Sequence, residues 1–321
     1  MTDLLFIVLG LLLLGFGGEG LVRGSVTIAE KLNLSTLLIS TIVIGFGTSA
    51  PELVVSVNAA LSGAPEISLG NVIGSNISNT LLILGVASLL VVIPCRTMQI
   101  KYDAAMGLFA SSVLSVLAII GYINRLMGTI MLAMLIVYLL FIIIREKKAR
   151  RHHQTKASLD AVITDVIPLK KTSFPMACLI TLGGLALLVI GSNFLVNGAI
   201  AIATKYQVSQ AVIGLTIVAI GTSLPELATA AIAAWRNEPD IIIGNILGSN
   251  LFNLFSIIGI TAMVKPIPFA GQLAAQDVWV MLGTSVLAFI IVVIRKKMTR
   301  IEGASLLSIY GLYLTWLYHS I

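Results

Sequence analysis

Long apolar runs follow one another along almost the whole chain, and short groups of Gly, Pro and charged residues separate them. Each run has about 18 residues or more, which is enough to cross a hydrocarbon core of about 30 Å as an α-helix. The only long polar stretch lies near the middle of the chain. The pattern predicts ten membrane-spanning helices, at 3–30, 36–61, 67–93, 103–122, 126–145, 174–204, 209–235, 241–264, 275–295 and 301–319.

The composition strengthens the membrane interpretation. Of the 321 residues, 58% are hydrophobic and only 11% are charged, whereas soluble domains carry about 25% charged residues. The mean hydropathy is +1.04. We therefore expect an all-α integral membrane protein with ten transmembrane helices and few residues left over for a soluble domain.

The basic residues are distributed unevenly between the two sides that alternating helices define. If the polar stretch 145–171 is cytoplasmic, most other lysines and arginines fall on its side, and only Arg125, Lys205 and Lys265 fall opposite. The positive-inside rule then predicts a multi-pass protein of the cell (inner or plasma) membrane, with both termini outside the cytoplasm and the central loop inside. The net charge of +6 reflects this topology and does not indicate a nucleic-acid partner.

The two halves of the chain are copies of one another. The segment "GTSAPELVVSVNAALSGAPEISLGNVIGSNISN" at 47–79 aligns without a gap with "GTSLPELATAAIAAWRNEPDIIIGNILGSNLFN" at 221–253, an offset of 174. Each half holds five predicted helices, an odd number, so the second copy enters the membrane from the opposite side. We predict an N-terminal repeat at 1–145, a cytoplasmic basic loop at 146–173 and an inverted C-terminal repeat at 174–321. Inverted repeats are common in secondary transporters, which bind their substrate between the repeats.

Each copy places a proline and a glutamate where a membrane helix should continue. Pro51 and Pro225 lack an N–H, so each leaves a backbone carbonyl without its helical hydrogen-bond donor. Inside a membrane, such a carbonyl occurs only beside a cavity, water or an ion. Hydroxyl and amide side chains accompany both glutamates. The candidate side chains are Thr48, Ser49, Glu52, Ser75 and Asn79, and in the second copy Thr222, Ser223, Glu226, Ser249 and Asn253. Oxygen ligands of this kind suit a hard cation such as Ca²⁺, and the sequence holds no Cys or His cluster for a softer metal.

The charge of this constellation indicates what it can exchange. Glu52 and Glu226 together carry two negative charges when ionised, and one divalent cation, several Na⁺ ions or protons can neutralise them. Because uncompensated charge is costly inside a membrane, competing cations are expected to replace one another at the same carboxylates.

Two further patterns concern packing. The segments "GNVIGSN" from Gly70 and "GNILGSN" from Gly244 have the Gly-x-x-x-Gly spacing that lets helices approach closely. We expect them to bring the third and eighth helices against the broken second and seventh. Glu19 and Arg23 stand at i and i+4 in the first helix, and we interpret them as an internal ion pair because the second copy has two asparagines there.

The twin "GTSAPE…GNVIGSN" and "GTSLPE…GNILGSN" blocks resemble the two α-repeats of the cation/calcium exchanger superfamily, most closely those of its prokaryotic sodium/calcium exchangers. The resemblance implies a Ca²⁺/Na⁺ antiporter that works by alternating access, in which the first and sixth helices slide over the other eight. It implies that all ten candidate side chains are ion ligands, and it adds the backbone carbonyls of Gly45 and Ala219.

The same resemblance bears on the coupling ion. Some relatives that also handle K⁺ carry aspartate at the position of Asn253, so asparagine at both Asn79 and Asn253 argues against K⁺ co-transport. Proton-coupled relatives usually depart from the "GTS-P-E" form, which favours Na⁺ coupling.

Other functions remain open to the sequence. The runner-up is exchange of H⁺ for Ca²⁺, or exchange of another divalent cation. A cation channel with a filter of two glutamates is less favoured, and an intramembrane hydrolase less still, because no nucleophile or second metal site accompanies the glutamates. We expect no enzymatic activity, no cofactor and no obligatory protein partner. The expected partners are Ca²⁺ and Na⁺ as substrates, and the lipid bilayer.

Overall fold

The computed structural model describes residues 2–63, 65–154, 172–206, 221–271 and 273–320, and these are almost entirely helical. The α-helices are α1 (Thr2–Lys31), α2 (Thr36–Ile39), α3 (Gly45–Thr48), α4 (Ala50–Leu61), α5 (Pro65–Ser78), α6 (Leu84–Leu90), α7 (Met98–Ile120), α8 (Arg125–Gln154), α9 (Phe174–Lys205), α10 (Leu224–Trp235), α11 (Pro239–Leu251), α12 (Ile258–Val264), α13 (Val278–Ile290) and α14 (Arg300–Ser320). Within the described residues, five π-helical turns adjoin them: π1 (Ser40–Ile44), π2 (Asn79–Ile83), π3 (Phe252–Ile257), π4 (Leu273–Asp277) and π5 (Ile291–Arg295).

Seven helical stretches of the described residues are long and apolar enough to cross a membrane. They are Leu4–Lys31, Ile67–Leu90, Met98–Ile120, Arg125–Lys148, Phe174–Ile202, Pro239–Val264 and Leu273–Arg295. The pair Thr36–Thr48 and Ala50–Leu61, bent by 41°, counts as an eighth if it is one span. Of the predicted helix at 209–235, residues 209–220 lie outside the described part, and α10 forms its last twelve residues.

Two predicted helix ends differ from the structure by five residues or more. The fourth helix was expected from residue 103 but begins at Met98, because Thr97 Oγ1 accepts a hydrogen bond from Ile100 N at 3.4 Å and caps the first turn. The fifth was expected to end at 145, but α8 continues to Gln154. Lys, Arg and Glu are good helix formers, so the helix outlasts the apolar run and takes up the first part of the predicted loop 146–173.

The core of the molecule is formed by the two spans that follow the broken helices. The apolar window of Pro239–Val264 is completely buried, and that of Ile67–Leu90 is 78% buried, whereas only 28% of Phe174–Ile202 is buried. Small residues in the two buried spans leave room for the backbones of neighbouring helices, which accounts for the burial of these spans. The candidate residues of α5 and α11 therefore lie at the centre of the protein.

The long helices α1 and α9 pack backbone to backbone. Glycines recur every seven residues on the face of α1 that contacts α9, at Gly10, Gly17 and Gly24. On α9, Gly184 and Gly191 lie against the backbone of α1. A Cβ atom added at Gly17 would lie 2.8 Å from the backbone nitrogen of the facing helix, and one at Gly184 would lie 2.6 Å from that of α1. Glycine on both surfaces thus makes α1 and α9 a closely packed pair.

A charged cluster joins this pair to α10. Arg23 Nε lies 2.5 Å from Glu19 Oε1, so the predicted ion pair is confirmed. Arg236, which follows α10, also donates to the Glu19 carboxylate through Nε at 3.0 Å and through its Nη2. The sequence did not reveal this third partner, because it lies 217 positions away. Glu19 therefore ties α1 to the helix that carries Glu226.

Contacts between the two halves come in related pairs. Two short antiparallel ladders join the halves: β1 (Ile93–Pro94) pairs with β4 (Lys297–Met298), and β2 (Tyr122–Ile123) pairs with β3 (Ile267–Pro268). At the repeat offset of 174, β1 corresponds to β3, and β4 corresponds to 123–124, which overlaps β2 with a shift of one residue. Ser111 and Ser285, which are 174 positions apart, hydrogen-bond to each other at 2.7 Å. The repeat in the sequence is thus also a repeat of contacts.

A buried carboxylate outside the candidate site links three elements. Asp103 on α7 is fully buried. It accepts hydrogen bonds from the hydroxyl of Tyr138 on α8 and from Thr41 Oγ1 on π1, the latter at 3.4 Å. Because π1 leads directly into Gly45, this cluster also holds the approach to the candidate site.

Replacing Tyr138 with phenylalanine is expected to lower the free energy of unfolding by about 1.5–3 kcal/mol, because the buried Asp103 carboxyl loses a donor. The apparent unfolding temperature of the purified protein in detergent measures the effect. Tyr122→Phe is the control, because Tyr122 is half exposed. Equal unfolding temperatures for the two variants would contradict the structural role of this hydrogen bond.

Candidate cation-binding site

The first "GTSAPE" motif breaks its helix, as the sequence predicts. Helix α3 ends at Thr48 and α4 begins at Ala50, with Ser49 between them at φ −82° and ψ 0°. Pro51 lies in the first turn of α4, where its missing N–H removes no helical hydrogen bond. The break therefore places Glu52 in the first turn of a new helix, whose N-terminus favours negative charge.

The second copy has the same local geometry where it is described. Ser223 has φ −92° and ψ 7° and directly precedes α10, with Pro225 in the first turn and Glu226 beside it. Thr222 is half-buried in the preceding turn. The predicted ligand Ala219 lies outside the described residues.

The two glutamates are buried together. Glu52 is 1% exposed and Glu226 is fully buried, and they lie close enough for their charges to interact. Within the described residues, both carboxylate oxygens of Glu52 and Oε2 of Glu226 have no hydrogen-bond partner, and Ser49 Oγ lies 3.5 Å from Glu226 Oε1. Buried carboxylates with so few donors require a cation or a proton.

Oxygen atoms from both halves meet beside these carboxylates. Ser249 Oγ donates to the carbonyl of Gly45 at 3.2 Å and lies 3.3 Å from Thr48 Oγ1. Thr48 Oγ1 also lies 3.1 Å from Oδ1 of Asn245, and Ser49 Oγ faces Glu226 of the second copy. The structure thus brings Gly45, Thr48 and Ser49 of the first copy together with residues of the second.

Glycines in the eighth predicted span permit this approach. A Cβ atom at Gly244 would lie 2.8 Å from Cβ of Ser40, and one at Gly248 would lie 2.4 Å from the carbonyl oxygen of Thr41. The eighth predicted span therefore packs closely against the broken second, in the other half of the chain. For Gly70 and Gly74 the equivalent partners at the repeat offset fall in 207–220, outside the described residues.

The other predicted ligands are buried, but fewer contacts join them. Asn79 Nδ2 donates to Asn250 Oδ1 at 3.1 Å. Ser75, Asn79, Ser223 and Asn253 are all less than 4% exposed. In the described part of the chain, Asn79 Oδ1, Ser223 Oγ and both amide atoms of Asn253 have no hydrogen-bond partner. These atoms are thus available to a bound ion, although no hydrogen bond between described residues connects them to the glutamates.

Both asparagines of the predicted site lie in π-helical turns. Asn79 is the first residue of π2, and Asn253 is the second residue of π3. Single π-helical turns are rare and frequently occur at functional sites. Their recurrence at equivalent positions shows that both copies distort the helix at the same place.

Sequence reasoning missed three further asparagines of the repeated motif. Asn71 Nδ2 donates to the carbonyl of Glu52 at 3.1 Å, Asn245 contacts Thr48, and Asn250 contacts Asn79. The signal was present, because "GN" and "GSN" recur in both copies, but only the glycines and serines of these segments were interpreted.

The residues present fit a hard cation. No group of three or more His, Cys, Asp and Glu side chains in the described ranges could hold a metal. The charged ligands are two carboxylates, and hydroxyl, amide and carbonyl oxygens surround them. Such a set suits alkali and alkaline-earth cations rather than softer metals.

Comparison with known proteins decides the family. The family described as sodium/calcium exchanger protein matches residues 2–144 and 176–319. The chain belongs to the sodium/calcium exchanger family. The resemblance expected from the repeated motifs is therefore confirmed.

Full-length relatives of this exchanger include proteins with and without a named activity. The sodium/calcium exchanger MaX1 of Methanosarcina acetivorans is 30% identical over 350 residues, covering 99% of each chain. The inner membrane protein YrbG of Escherichia coli is 31% identical, covering 97% of this chain and 94% of YrbG. Among solved structures, the sodium-calcium exchanger NCX_Mj is 28% identical with a TM-score of 0.82, covering 98% of this chain and 99% of that one.

The family and the fold together establish a multi-pass membrane protein among transporters. The predictions of a membrane-spanning helical fold and of the antiporter family are confirmed by these matches. MaX1 and NCX_Mj, whose names state an activity, are both exchangers.

Proposed function

We propose that this exchanger moves Ca²⁺ against Na⁺ across the cell membrane by alternating access, and that Glu52 and Glu226 carry both ions. One observation carries the proposal. A buried carboxylate from each half lies within electrostatic range of the other, and three of the four oxygens lack hydrogen-bond partners in the described residues. The names of MaX1 and NCX_Mj as sodium/calcium exchangers support the same ions.

The charge of this pair explains obligatory exchange. One Ca²⁺ ion balances two ionised carboxylates, and Na⁺ ions balance them equally well. Uncompensated charge at membrane depth is costly, so the protein changes its accessible side readily when cations occupy the site and reluctantly when it is empty.

The proposed ligands extend from the glutamates to the oxygens around them. They are Gly45 (carbonyl), Thr48, Ser49, Glu52, Ser75, Asn79, Ala219 (carbonyl), Thr222, Ser223, Glu226, Ser249 and Asn253. The contacts among Gly45, Thr48 and Ser249 support this assignment. The transported ions are substrates, and the proposal includes no cofactor and no protein partner.

The proposed architecture consists of ten transmembrane helices in two inverted repeats of five, 1–145 and 174–321. The related ladders and the contact between Ser111 and Ser285 support it. So does the family match, which has two segments separated at 145–175. The basic residues favour an orientation with the central segment 146–173 in the cytoplasm and both termini outside. We propose that Ca²⁺ leaves the cell when Na⁺ flows inward down its gradient.

Liposomes that contain the purified protein and are loaded with Na⁺ are expected to accumulate radioactive Ca²⁺ when diluted into Na⁺-free medium. The outward Na⁺ gradient supplies the driving force. Liposomes with equal Na⁺ on both sides, and liposomes loaded with K⁺ instead, are the controls. Accumulation driven by a pH gradient without Na⁺ would support H⁺ coupling instead, and Ca²⁺ flux that is indifferent to the counter-ion would support a channel.

A further inference from the structure

A cavity of about 380 Å³ lies apart from the candidate cation site. Residues at the start of α2, on α7 and on α8 line it from the first half, and α11 lines it from the second half. None of the predicted ion ligands in the described part of the chain is among the lining residues. Small-molecule sites usually have volumes of about 300–1,000 Å³, so the cavity is large enough for a ligand of its own.

The cavity lies at the level where the membrane-spanning stretches begin and end. Met98, which lines it, is the first residue of α7. Arg145 lies in the last turn of the apolar stretch on α8, and Asp240 lies in the first turn of α11. Lipid headgroups occupy this level of a bilayer, just outside the hydrocarbon core. A headgroup can therefore reach the cavity without leaving the membrane surface.

Exposed apolar side chains border the cavity. Met98 is 51% exposed, and on α8 Phe141 and Ile144 are 48% and 65% exposed. The ring of Phe141 packs at 87° against that of Tyr102, another lining residue, with 5.9 Å between the ring centroids. In a membrane such side chains face acyl chains. A phospholipid could thus place its headgroup in the cavity and its tails on this apolar surface.

Arg145 brings an unpaired positive charge to the cavity. Its guanidinium carbon lies 4.0 Å from the centroid of the Tyr102 ring, and this cation–π contact holds the group in place without using its N–H donors. With the described residues the guanidinium forms neither a hydrogen bond nor an ion pair. A guanidinium presents five N–H donors in a planar fork, which binds a phosphate through two parallel hydrogen bonds. Arg145 is therefore well placed to bind a phosphate.

Asp240 brings an unpaired negative charge to the same cavity. It is half-buried, and its carboxylate forms neither a hydrogen bond nor an ion pair with the described residues. Glu146 also lines the cavity, but its Oε1 accepts a hydrogen bond from Ser35 N at 3.1 Å, so the protein itself engages this carboxylate. A ligand that pairs with both Arg145 and Asp240 must carry a negative group and a positive group.

We propose that the cavity binds the headgroup of a phospholipid that carries a primary amine, with its phosphate on Arg145 and its ammonium on Asp240. An inorganic anion would leave the Asp240 carboxylate unpaired, and a metal cation would be repelled by Arg145. A quaternary ammonium has no N–H to donate to Asp240, which favours a primary one. Because Arg145 belongs to the first half and Asp240 to the second, the bound lipid joins the two halves. The inference does not depend on which ions the exchanger moves.

Thermal unfolding of the purified, delipidated protein in detergent tests the proposal, because a ligand of the folded state raises the unfolding temperature. Lipids with identical acyl chains are added at equal concentrations. We expect phosphatidylethanolamine to raise the unfolding temperature more than phosphatidylcholine or phosphatidylglycerol does. Native mass spectrometry of the lipid-bound protein measures the same preference independently of stability.

Three variants identify the groups that bind the lipid. For Arg145→Gln we expect the half-saturating concentration of phosphatidylethanolamine to rise about tenfold or more, because charge-assisted hydrogen bonds to the phosphate are lost. For Asp240→Asn we expect the preference over phosphatidylcholine to disappear, because the ammonium loses its carboxylate. Lys147→Gln is the matched control. It removes one positive charge from an exposed position on α8, and we expect it to keep the wild-type preference.

Equal stabilisation of the wild type by all three lipids would overturn the proposal, and so would an equal loss of lipid binding in Arg145→Gln and Lys147→Gln. A preference for phosphatidylglycerol would overturn it in favour of a site for anions. Inorganic phosphate and O-phosphoethanolamine lack acyl chains, so we expect them to stabilise the protein much less than the lipid does. If either one stabilises it as strongly as phosphatidylethanolamine at the same concentration, the ligand is a soluble phosphate compound and the lipid assignment is wrong.

Discussion

Replacing Glu226 with glutamine is expected to abolish Na⁺-driven Ca²⁺ uptake while the protein still folds and inserts. Glutamine has the shape of glutamate but removes one of the two charges that balance Ca²⁺. Removing one partner from a buried pair of opposite charges, here the carboxylate that faces Ca²⁺, costs about 3–5 kcal/mol. This cost corresponds to a loss in Ca²⁺ affinity of roughly 200-fold to several thousand-fold. Binding of Ca²⁺ to the purified variant and uptake into liposomes measure the two consequences.

Stability without ions distinguishes this loss from unfolding. In the wild type, the carboxylates of Glu52 and Glu226 lie close together with few donors, so Glu226→Gln is expected to unfold at the same or a higher temperature when no cation is present. Glu30→Gln is the control, because Glu30 is exposed at the end of α1, and it should retain uptake. Transport by Glu226→Gln at the wild-type rate would show that two carboxylates are not required.

Hydropathy predicted the course of the chain well where an apolar run and a helix coincide. The first helix was expected at 3–30 and is α1, Thr2–Lys31. The predicted helix end was wrong where a helix extends beyond the apolar region, as α8 does to Gln154. Hydropathy indicates where the membrane ends rather than where a helix ends. The start of α7 depended on a cap by Thr97 that no hydrophobic pattern reveals.

The duplicated motif predicted which residues gather at the centre but not which of them touch. Thr48 and Ser249 were both candidates, yet their contact joins positions 201 residues apart and crosses between the halves. Asn245 was passed over because its chemistry depends on a neighbour, Thr48, 197 residues away. A repeat in sequence reveals equivalent residues, whereas the contacts between the halves appear only in the structure.

Replacing Gly248 with alanine is expected to have a large effect, because this glycine packs closely against the backbone of π1. A methyl group there would lie 2.4 Å from the carbonyl oxygen of Thr41 and 2.9 Å from its Cα. These are backbone atoms, which cannot rotate away as a side chain could, so α11 would have to move away from π1. Overpacking of this kind costs about 1–3 kcal/mol. The displacement would also move Ser249, the next residue, away from the Gly45 carbonyl that it contacts at 3.2 Å.

Gly248→Ala is therefore expected to lower the unfolding temperature and also to weaken Ca²⁺ and Na⁺ binding, because one backbone contact sets both the packing and the spacing of the oxygens. Gly283→Ala is the matched control. Gly283 is exposed on α13, and a methyl group there meets no described atom within 4 Å. The higher helix propensity of alanine, about 1 kcal/mol, should leave this control as stable as the wild type or more so. If Gly248→Ala loses stability but binds both ions normally, the close approach supports the fold without setting the geometry of the site.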